Sequence, residues 1–192
     1  MNTILSEFLQ KPAYEAAPLL LGCILEREID GKVIRVRIVE TEAYDESDAA
    51  SHSYKGKTPR TEIMFGEAGH LYVYFTYGMH YCCNIVTGKP GVGAAVLIRA
   101  VEPIEGEQYM QDLRQVSGVQ LSNGPAKLCQ ALDIDKRLNG HDLRETPLKL
   151  IINEPLYSGD ITQTKRIGIS QAKDVPWRFY ITNNIYVSKR SV

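Results

Sequence analysis

The chain lacks any long hydrophobic run. None of its apolar stretches approaches the roughly 20 residues that a helix needs to cross a bilayer. Residues 1–10 contain neither a basic segment nor a small-residue cleavage site, so no secretory signal is predicted. With 44% hydrophobic and 23% charged residues among 192, the composition is typical of a soluble globular protein. We therefore expect a cytoplasmic protein without membrane contact, folded as a single domain over residues 1–192.

Cysteine and histidine are both scarce. The four cysteines, at positions 23, 82, 83 and 129, form no C-x-x-C pair, so reduced thiols are expected. The four histidines lack the spacing of metal ligands. No phosphate-binding loop or complete dinucleotide fingerprint is present either. The sequence therefore predicts no metal site and no cofactor.

Acidic residues are missing from one long segment. The 34 residues from 68 to 101 contain no Asp or Glu, although the whole chain has 23. Within this segment, residues 71–81 include four tyrosines and a histidine. An acid-free aromatic surface suits contact with bases and phosphates. The alternative is a half-buried core strand, which tyrosine-rich strands commonly form.

The net charge of the chain is −1, but its charged residues are unevenly distributed along the sequence. Residues 1–50 sum to −5 and residues 101–150 to −2, whereas residues 51–100 and 151–192 each sum to +3. If residues 51–100 and 151–192 share one face of the folded protein, that face is basic enough to meet phosphates. The alternative is that acidic and basic side chains intermix on the folded surface. The candidate contacts to a DNA backbone are Lys55, Lys57, Arg60 and Lys165.

Turn and periodicity signals divide the chain into short elements, with Asp30-Gly31 as a strong hairpin signal and residues 45–62 as a functional loop. Helices are predicted at residues 4–9 and 13–21, and after a cap at Ser122-Asn123-Gly124-Pro125. Strands are predicted at residues 23–28, 33–41, 71–76, 82–86, 94–100, 148–152, 166–170, 178–182 and 185–187.

One strand pattern ends in acidic residues. Strict alternation over residues 33–44 puts Ile34, Val36, Ile38, Glu40, Glu42 and Tyr44 on one face. A carboxylate at the edge of a core suits the work of a general base. The alternative is an acidic edge that pairs with nearby arginines.

A second strand pattern separates aromatic from apolar side chains. Over residues 71–75, Tyr72 and Tyr74 share one face, and the opposite parity is apolar. Tyr77-Gly78 then breaks the alternation, so Tyr77 can project from a bend. Aromatic side chains in such positions can stack on a base or enter a groove.

Several ordered blocks carry a family resemblance over about residues 13–188. They include Glu40-Thr41-Glu42-Ala43-Tyr44, Thr58-Pro59-Arg60-Thr61, residues 71–84, Asn123-Gly124-Pro125-Ala126-Lys127 and Arg166-Ile167-Gly168-Ile169. The chain resembles the alkyladenine (3-methyladenine) DNA glycosylase family, of the type also found in mammals. The resemblance implies an α/β fold of the α+β type, with a curved antiparallel sheet, surrounding helices and a protruding β-hairpin in one compact domain.

The resemblance also implies a reaction and a partner. The enzyme would flip an alkylated or deaminated purine nucleotide out of double-stranded DNA and hydrolyse its N-glycosidic bond, which leaves an abasic site. Glu42 would deprotonate the attacking water, and Arg99 and the backbone of Ile169 would hold that water. We expect a monomer, located at the nucleoid in a bacterial cell.

The same resemblance assigns a pocket for the flipped base. Tyr44, His52 and Tyr74 would sandwich the base, and Asn84 would disfavour the exocyclic amino group of normal guanine. Tyr77 would fill the gap that the flipped nucleotide leaves in the stack. Two alternatives stay open: a non-catalytic binder of damaged bases, and a bifunctional glycosylase–lyase with an amine nucleophile.

Overall fold

The architecture is built on an antiparallel sheet. In the computed structural model, which describes residues 7–76 and 78–188, eight strands join in one sheet. The strands are β1 (Ile24–Ile29), β2 (Lys32–Tyr44), β3 (Leu71–Thr76), β4 (His80–Val86), β5 (Ala95–Glu105), β6 (Leu148–Ile151), β7 (Ile161–Thr164) and β8 (Arg178–Ile181).

The 13-residue strand β2 organises this sheet. The order is β3-β4-β5-β2-β1-β6, so β5 lies along one edge of β2. Along the other edge, β1 pairs with the first half of β2, and β8 pairs with Glu40, Thr41 and Glu42. Strand β8 also pairs with β7. The second half of β2 therefore lies between β5 and β8, deep inside the sheet.

Besides the helical residues 7–9, three α-helices of the described ranges cover one face of the sheet. They are α1 (Ala13–Leu19), α2 (Glu107–Arg114) and α3 (Pro125–Ala131), and 3₁₀ turns lie at Glu62–Phe65, Gly118–Leu121, Lys136–Leu138 and Ser158–Asp160. Helix α1 buries only alanines, which allows close approach to β2, where Thr41 Oγ1 donates to the Ala17 carbonyl at 2.9 Å. No helix among these described residues has the length and apolarity of a membrane span.

Strand alternation gives the sheet two distinct faces. The face toward the helices forms the main hydrophobic core and includes Leu71, Val73, Cys83, Ile85, Val96 and Ile98. The intervening residues of the same strands, Tyr72, Tyr74, Cys82, Asn84, Leu97 and Arg99, line a cavity on the opposite face. The predicted division of β3 into an apolar and a tyrosine face is confirmed.

The predicted alternation of β2 is wrong beyond Ile38. Ile34, Val36 and Ile38 face the core, but the next core member is Ala43, which strict alternation would place on the other face. The register against β5 shifts between Ile38 and Glu40, so one extra residue is inserted as a β-bulge. The bulge turns Glu40, Glu42 and Tyr44 away from the apolar face and toward the cavity side.

Most predicted elements are confirmed within a few residues. Asp30 and Gly31 have φ angles of 50° and 73°, which the tight β1–β2 hairpin requires. The predicted helix at residues 13–21 is α1, and Gly22 follows it with φ +86°. Of the predicted helix at residues 4–9, residues 4–6 lie outside the described part, and residues 7–9 are helical.

Some predicted elements are wrong. Residues 166–170 are not a strand, because Gly168 adopts φ +76° and bends the backbone. Residues 185–187 form a turn, and α2 and β7 were not predicted. The helix predicted after residues 122–125 is confirmed as α3, with Gly124 at the N-cap position and Pro125 as its first residue, but Ser122 does not cap it, since its hydroxyl donates to the Val101 carbonyl.

The predicted protruding hairpin is confirmed as β3–β4. These strands pair from Leu71–Ile85 to Thr76–His80, whereas the pairing of β4 with β5 covers Asn84, Ile85 and Val86. The distal half of the hairpin therefore extends beyond the sheet. Tyr77, the predicted wedge, lies outside the described residues.

Candidate active site

One row of neighbours across the sheet places distant residues side by side. Tyr72 lies opposite Asn84, Asn84 opposite Leu97, and Leu97 opposite Glu42. Directly opposed residues of antiparallel strands project to the same face. The sheet register therefore delivers a phenol, an amide and a carboxylate to one side of the molecule.

Three members of this row, Tyr72, Asn84 and Leu97, line the floor of a cavity of about 420 Å³. Loop residues close its sides: Ala49, Ala50, His52 and Met64 from the first half of the chain, and Pro125, Ile167, Gly168, Ile169, Ser170 and Gln171 from the second. The volume lies in the range of small-molecule binding sites. The cavity can hold one planar group the size of a nucleobase.

Glu42 lies behind the residues that line the cavity, and none of its surface is exposed. Its Oε2 accepts hydrogen bonds from Tyr44 OH at 2.8 Å and from Arg99 Nη1 at 3.1 Å. Its Oε1 accepts from the backbone N–H of Ile167 at 2.9 Å. Tyr44, Arg99 and Ile167 all line the cavity, so the carboxylate is one side chain removed from its interior.

Arg99 links this carboxylate to a second buried one. Its Nε donates to Glu40 Oε1 at 3.0 Å, while its Nη1 reaches Glu42. Glu40 also accepts from Arg178 Nε at 2.7 Å and from the backbone N–H and hydroxyl of Ser188. Burial disfavours the charge of Arg99, but Glu42 and Glu40 outweigh this and raise the pKa of the guanidinium. Arg99 therefore remains a cation between two carboxylates.

Tyr44 is held in its protonated form. Burial, and then the neighbouring charge of Glu42, raise the pKa of its phenol well above the ordinary value. The hydroxyl is therefore a hydrogen-bond donor to Glu42 at neutral pH.

Three aromatic rings contact one another in the lining of the cavity. The Tyr72 and Tyr74 rings stack at 5.7 Å between centroids, and the His52 ring meets Tyr74 edge-on at 4.6 Å. His52 Nδ1 lies 3.0 Å from Tyr72 OH, and the Arg60 guanidinium lies 5.8 Å from the Tyr74 ring centroid. His52 is exposed, yet desolvation by its neighbours and then the charge of Arg60 lower its pKa. The neutral imidazole is thus favoured beside a surface suited to stacking.

Asn84 is fixed by the backbone of the neighbouring strand. Its Nδ2 donates to the Tyr72 carbonyl at 3.1 Å, and the side chain is buried in the cavity floor. Because this bond uses one of the two amide N–H donors, the second N–H and the acceptor Oδ1 remain available. An acceptor in this position can discriminate among the edges of a purine.

A buried ion pair lies behind Tyr44. Arg166 and Asp48 form a bidentate pair whose side chains are 0% and 2% exposed. Arg166 Nη1 also donates to the Ala43 carbonyl at 2.9 Å. The guanidinium lies 4.7 Å from the Tyr44 ring centroid and 5.5 Å from that of Trp177. The pair therefore connects the loop after β2 with the loop that closes the cavity.

The predicted backbone-contact residues differ in their surroundings. Arg60 lies at the aromatic wall, and Lys55 and Lys57 are exposed in the same loop. Lys165 Nζ forms an exposed ion pair with Asp174 at 2.6 Å. A phosphate would therefore have to compete with Asp174 for Lys165.

The structure brings most of the sequence-predicted site together. Tyr44, His52, Tyr74, Asn84, Arg99 and Ile169 line one cavity, and Glu42 contacts two of them. The backbone N–H that reaches Glu42 is that of Ile167, two positions before the predicted Ile169.

Several site residues were missed by the sequence analysis. Tyr72 shares the strand parity of Tyr74, so alternation could have included it in the pocket. Leu97, and the Asp48–Arg166 pair with its separation of 118 residues, gave no local signal. Only the sheet register and the loop packing reveal them.

The chain is similar to several known proteins. Residues 7–185 match the sequence profile described as methylpurine-DNA glycosylase. A protein of Carboxydothermus hydrogenoformans is 52% identical over 186 residues, which cover 96% of this chain and 97% of that protein. One from Francisella tularensis is 47% identical over 190 residues (97% and 98%), and one from Clostridium botulinum is 48% identical over 198 residues (96% and 98%). All three carry the provisional name 3-methyladenine DNA glycosylase.

Proposed function

The chain belongs to the methylpurine-DNA glycosylase family, and from this premise we propose that it hydrolyses the N-glycosidic bond of alkylated purines, 3-methyladenine among them, in double-stranded DNA. The product is an abasic site. The observation that carries the proposal is a cavity of about 420 Å³ walled by aromatic rings, with the carboxylate of Glu42 directly behind it.

Glu42 is the general base of the proposed reaction. A carboxylate has about four lone-pair sites, and Tyr44, Arg99 and Ile167 occupy three of them. The remaining site can accept the proton of a water molecule as the water attacks the anomeric carbon. Because three donors fix both oxygens, the base needs little reorientation during the step.

Arg99 and Ile169 position the water in this proposal. Both line the cavity, and Arg99 already donates to Glu42 Oε2. The positive charge of Arg99 compensates the carboxylate before the reaction, and it favours a polarised, nucleophilic water. The backbone of Ile169 lies in the loop that closes the same side of the cavity.

The damaged nucleotide must leave the helix to reach this cavity. Flipping costs a few kcal/mol, and less for a damaged or poorly paired base. Stacking between Tyr44, His52 and Tyr74 compensates for part of the lost stacking, and Tyr77 fills the vacated space in the duplex. Alkylated purines that carry positive charge are attracted to the electron-rich tyrosine faces. Deaminated purines such as hypoxanthine are neutral and should react more slowly.

We further propose that residues 1–192 act as one glycosylase domain and as a monomer. The cavity supports this proposal, because its lining from Tyr44 to Gln171 is supplied by one chain. Lys55, Lys57, Arg60 and Lys165 contact the DNA backbone. Because its proposed substrate is chromosomal DNA, the enzyme would act in the cytoplasm, at the nucleoid of a bacterial cell.

Base release from defined oligonucleotides tests the proposal. Duplexes that contain 3-methyladenine, 7-methylguanine, hypoxanthine or ethenoadenine are incubated with excess enzyme, and abasic sites are revealed by alkali. We expect excision of the alkylated purines without strand cleavage before alkali and without covalent trapping by borohydride. Trapping would instead indicate a glycosylase–lyase, and tight lesion binding without base release would indicate a non-catalytic binder.

A further inference from the structure

The ion pair behind Tyr44 is unusual in its placement against an aromatic wall. Arg166 is completely enclosed and packs on the Tyr44 ring at 4.7 Å, whereas Tyr44 itself lines the cavity. A base stacked on the cavity side of Tyr44 would therefore have a buried cation behind the same ring.

A cation in this position works against a cationic base. The electron-rich face of a tyrosine attracts positive charge, and a guanidinium on one side draws that density away from the other. Two like charges on opposite faces of a ring, roughly 8 Å apart at an effective dielectric constant of about 20, repel each other by an amount worth at least about tenfold in rate.

Asp48 cancels this repulsion. Its carboxylate is 2% exposed and binds Arg166 through both oxygens, with Nη2–Oδ1 at 3.0 Å. Asp48 Oδ1 also accepts the backbone N–H of Ala50, which lines the cavity. The net charge behind Tyr44 is therefore close to zero, and the guanidinium can support the ring without repelling the base.

We propose that Asp48 is a specificity-determining positioning residue, which neutralises Arg166 behind Tyr44 so that the pocket accepts positively charged alkylpurines. This inference rests on the proposed function, since it assumes that a flipped base stacks on Tyr44. Asp48 does not touch the base. It acts through the charge of Arg166 and leaves the recognition of neutral purines largely unchanged.

Asp48→Asn tests the inference, because it keeps the shape and one acceptor but removes the charge. Single-turnover excision is measured on 7-methylguanine, which is cationic in DNA, and on hypoxanthine or ethenoadenine, whichever neutral base the wild type releases. We expect the ratio of cationic to neutral excision to fall about tenfold. In Asp48→Asn/Arg166→Met, where both charges are absent, the ratio should return toward that of the wild type.

The test separates this inference from the proposed function. Normal excision by the wild type with an unchanged ratio in folded Asp48→Asn overturns the role of Asp48 and leaves the glycosylase assignment intact. A purely structural role would slow both substrates equally, which also contradicts the inference. If Asp48→Asn does not fold, Arg166→Met serves instead. It leaves Asp48 bonded to the Ala50 N–H, so the ratio should shift toward cationic bases, and an unchanged ratio in the folded variant overturns the inference.

Discussion

Glu40 and Glu42 are two carboxylates on one strand with different surroundings. Glu40 accepts four hydrogen bonds, from Arg99, Arg178 and Ser188, and these bonds connect β2 with β5, β8 and the segment after β8. Glu42 accepts from three groups that line the cavity and keeps one acceptor site. The neighbours of each carboxylate, rather than its residue type, therefore decide which one can act on a substrate.

At the residue scale, His52 gives a prediction about pH. Desolvation and then Arg60 lower its pKa below the ordinary value of 6.5, so the folded state binds the proton more weakly than the unfolded chain does. Its contribution to stability is present above about pH 6.5 and is lost as pH falls through the lower folded-state pKa. The fall in Tm between about pH 7.5 and about pH 5.5 should be smaller in His52→Gln than in the wild type. An equal or larger fall in the variant would contradict this account.

At the scale of elements, Glu40 holds three strands together. It lies on β2 and accepts from Arg99 of β5 and Arg178 of β8, with no side-chain surface exposed. Glu40→Gln removes the buried carboxylate charge that Arg99 and Arg178 share, so we expect the free energy of unfolding to fall by roughly 3–5 kcal/mol. Denaturant unfolding measures the change.

The matched control is Glu102→Gln. Glu102 pairs with Arg37 at 2.8 Å, but the two side chains are 24% and 44% exposed. Solvent-exposed pairs contribute about 0–1 kcal/mol, so this variant should remain near wild-type stability. Similar losses in the two variants would show that the buried network has no special role.

The β3–β4 hairpin gives a prediction about DNA. Its distal half extends beyond the sheet, and Phe75 and Met79 near its turn are 51% and 67% exposed. Tyr77→Ala removes the proposed wedge, so lesion binding in duplex DNA should weaken by roughly 1–3 kcal/mol. The loss should be smaller for the same lesion in single-stranded DNA, and Tyr54→Ala, at an exposed tyrosine outside the hairpin, is the control. Equal losses on both substrates would mean that Tyr77 does not act as a wedge.

Local patterns predict the hairpins and the tyrosine face, because Asp30-Gly31 and the alternation in β3 depend only on neighbouring residues. Alternation fails at Val39, where a bulge reverses the faces of β2. It also fails at residues 166–170, which bond to Glu42 and Asp48 across more than one hundred residues of sequence. Bulges and loop docking depend on tertiary pairing, so a single sequence gives no local signal for them.

At the scale of the whole molecule, charge segregation predicts how binding depends on salt. Neutralisation of about 3–6 phosphates should give a negative slope of log affinity against log salt, of about −0.9 per phosphate. Lys55→Ala and Lys57→Ala should each reduce the magnitude of this slope by about one unit. Lys165→Ala should lower it by less, because Asp174 already lies 2.6 Å from Nζ. Lys136→Ala, in the acidic third quarter, is the control, and an affinity independent of salt would contradict the basic face.

The most direct measurement is single-turnover base release by Glu42→Gln. This variant keeps the shape of the side chain and an acceptor for Tyr44 and Arg99, but it cannot take a proton from water. We expect release of 3-methyladenine or 7-methylguanine to slow by roughly a thousandfold, while affinity for the lesion duplex stays close to that of the wild type. Glu102→Gln should release the base at the wild-type rate. A folded Glu42→Gln enzyme with a rate within about tenfold of the wild type would contradict the assignment of Glu42 as the general base.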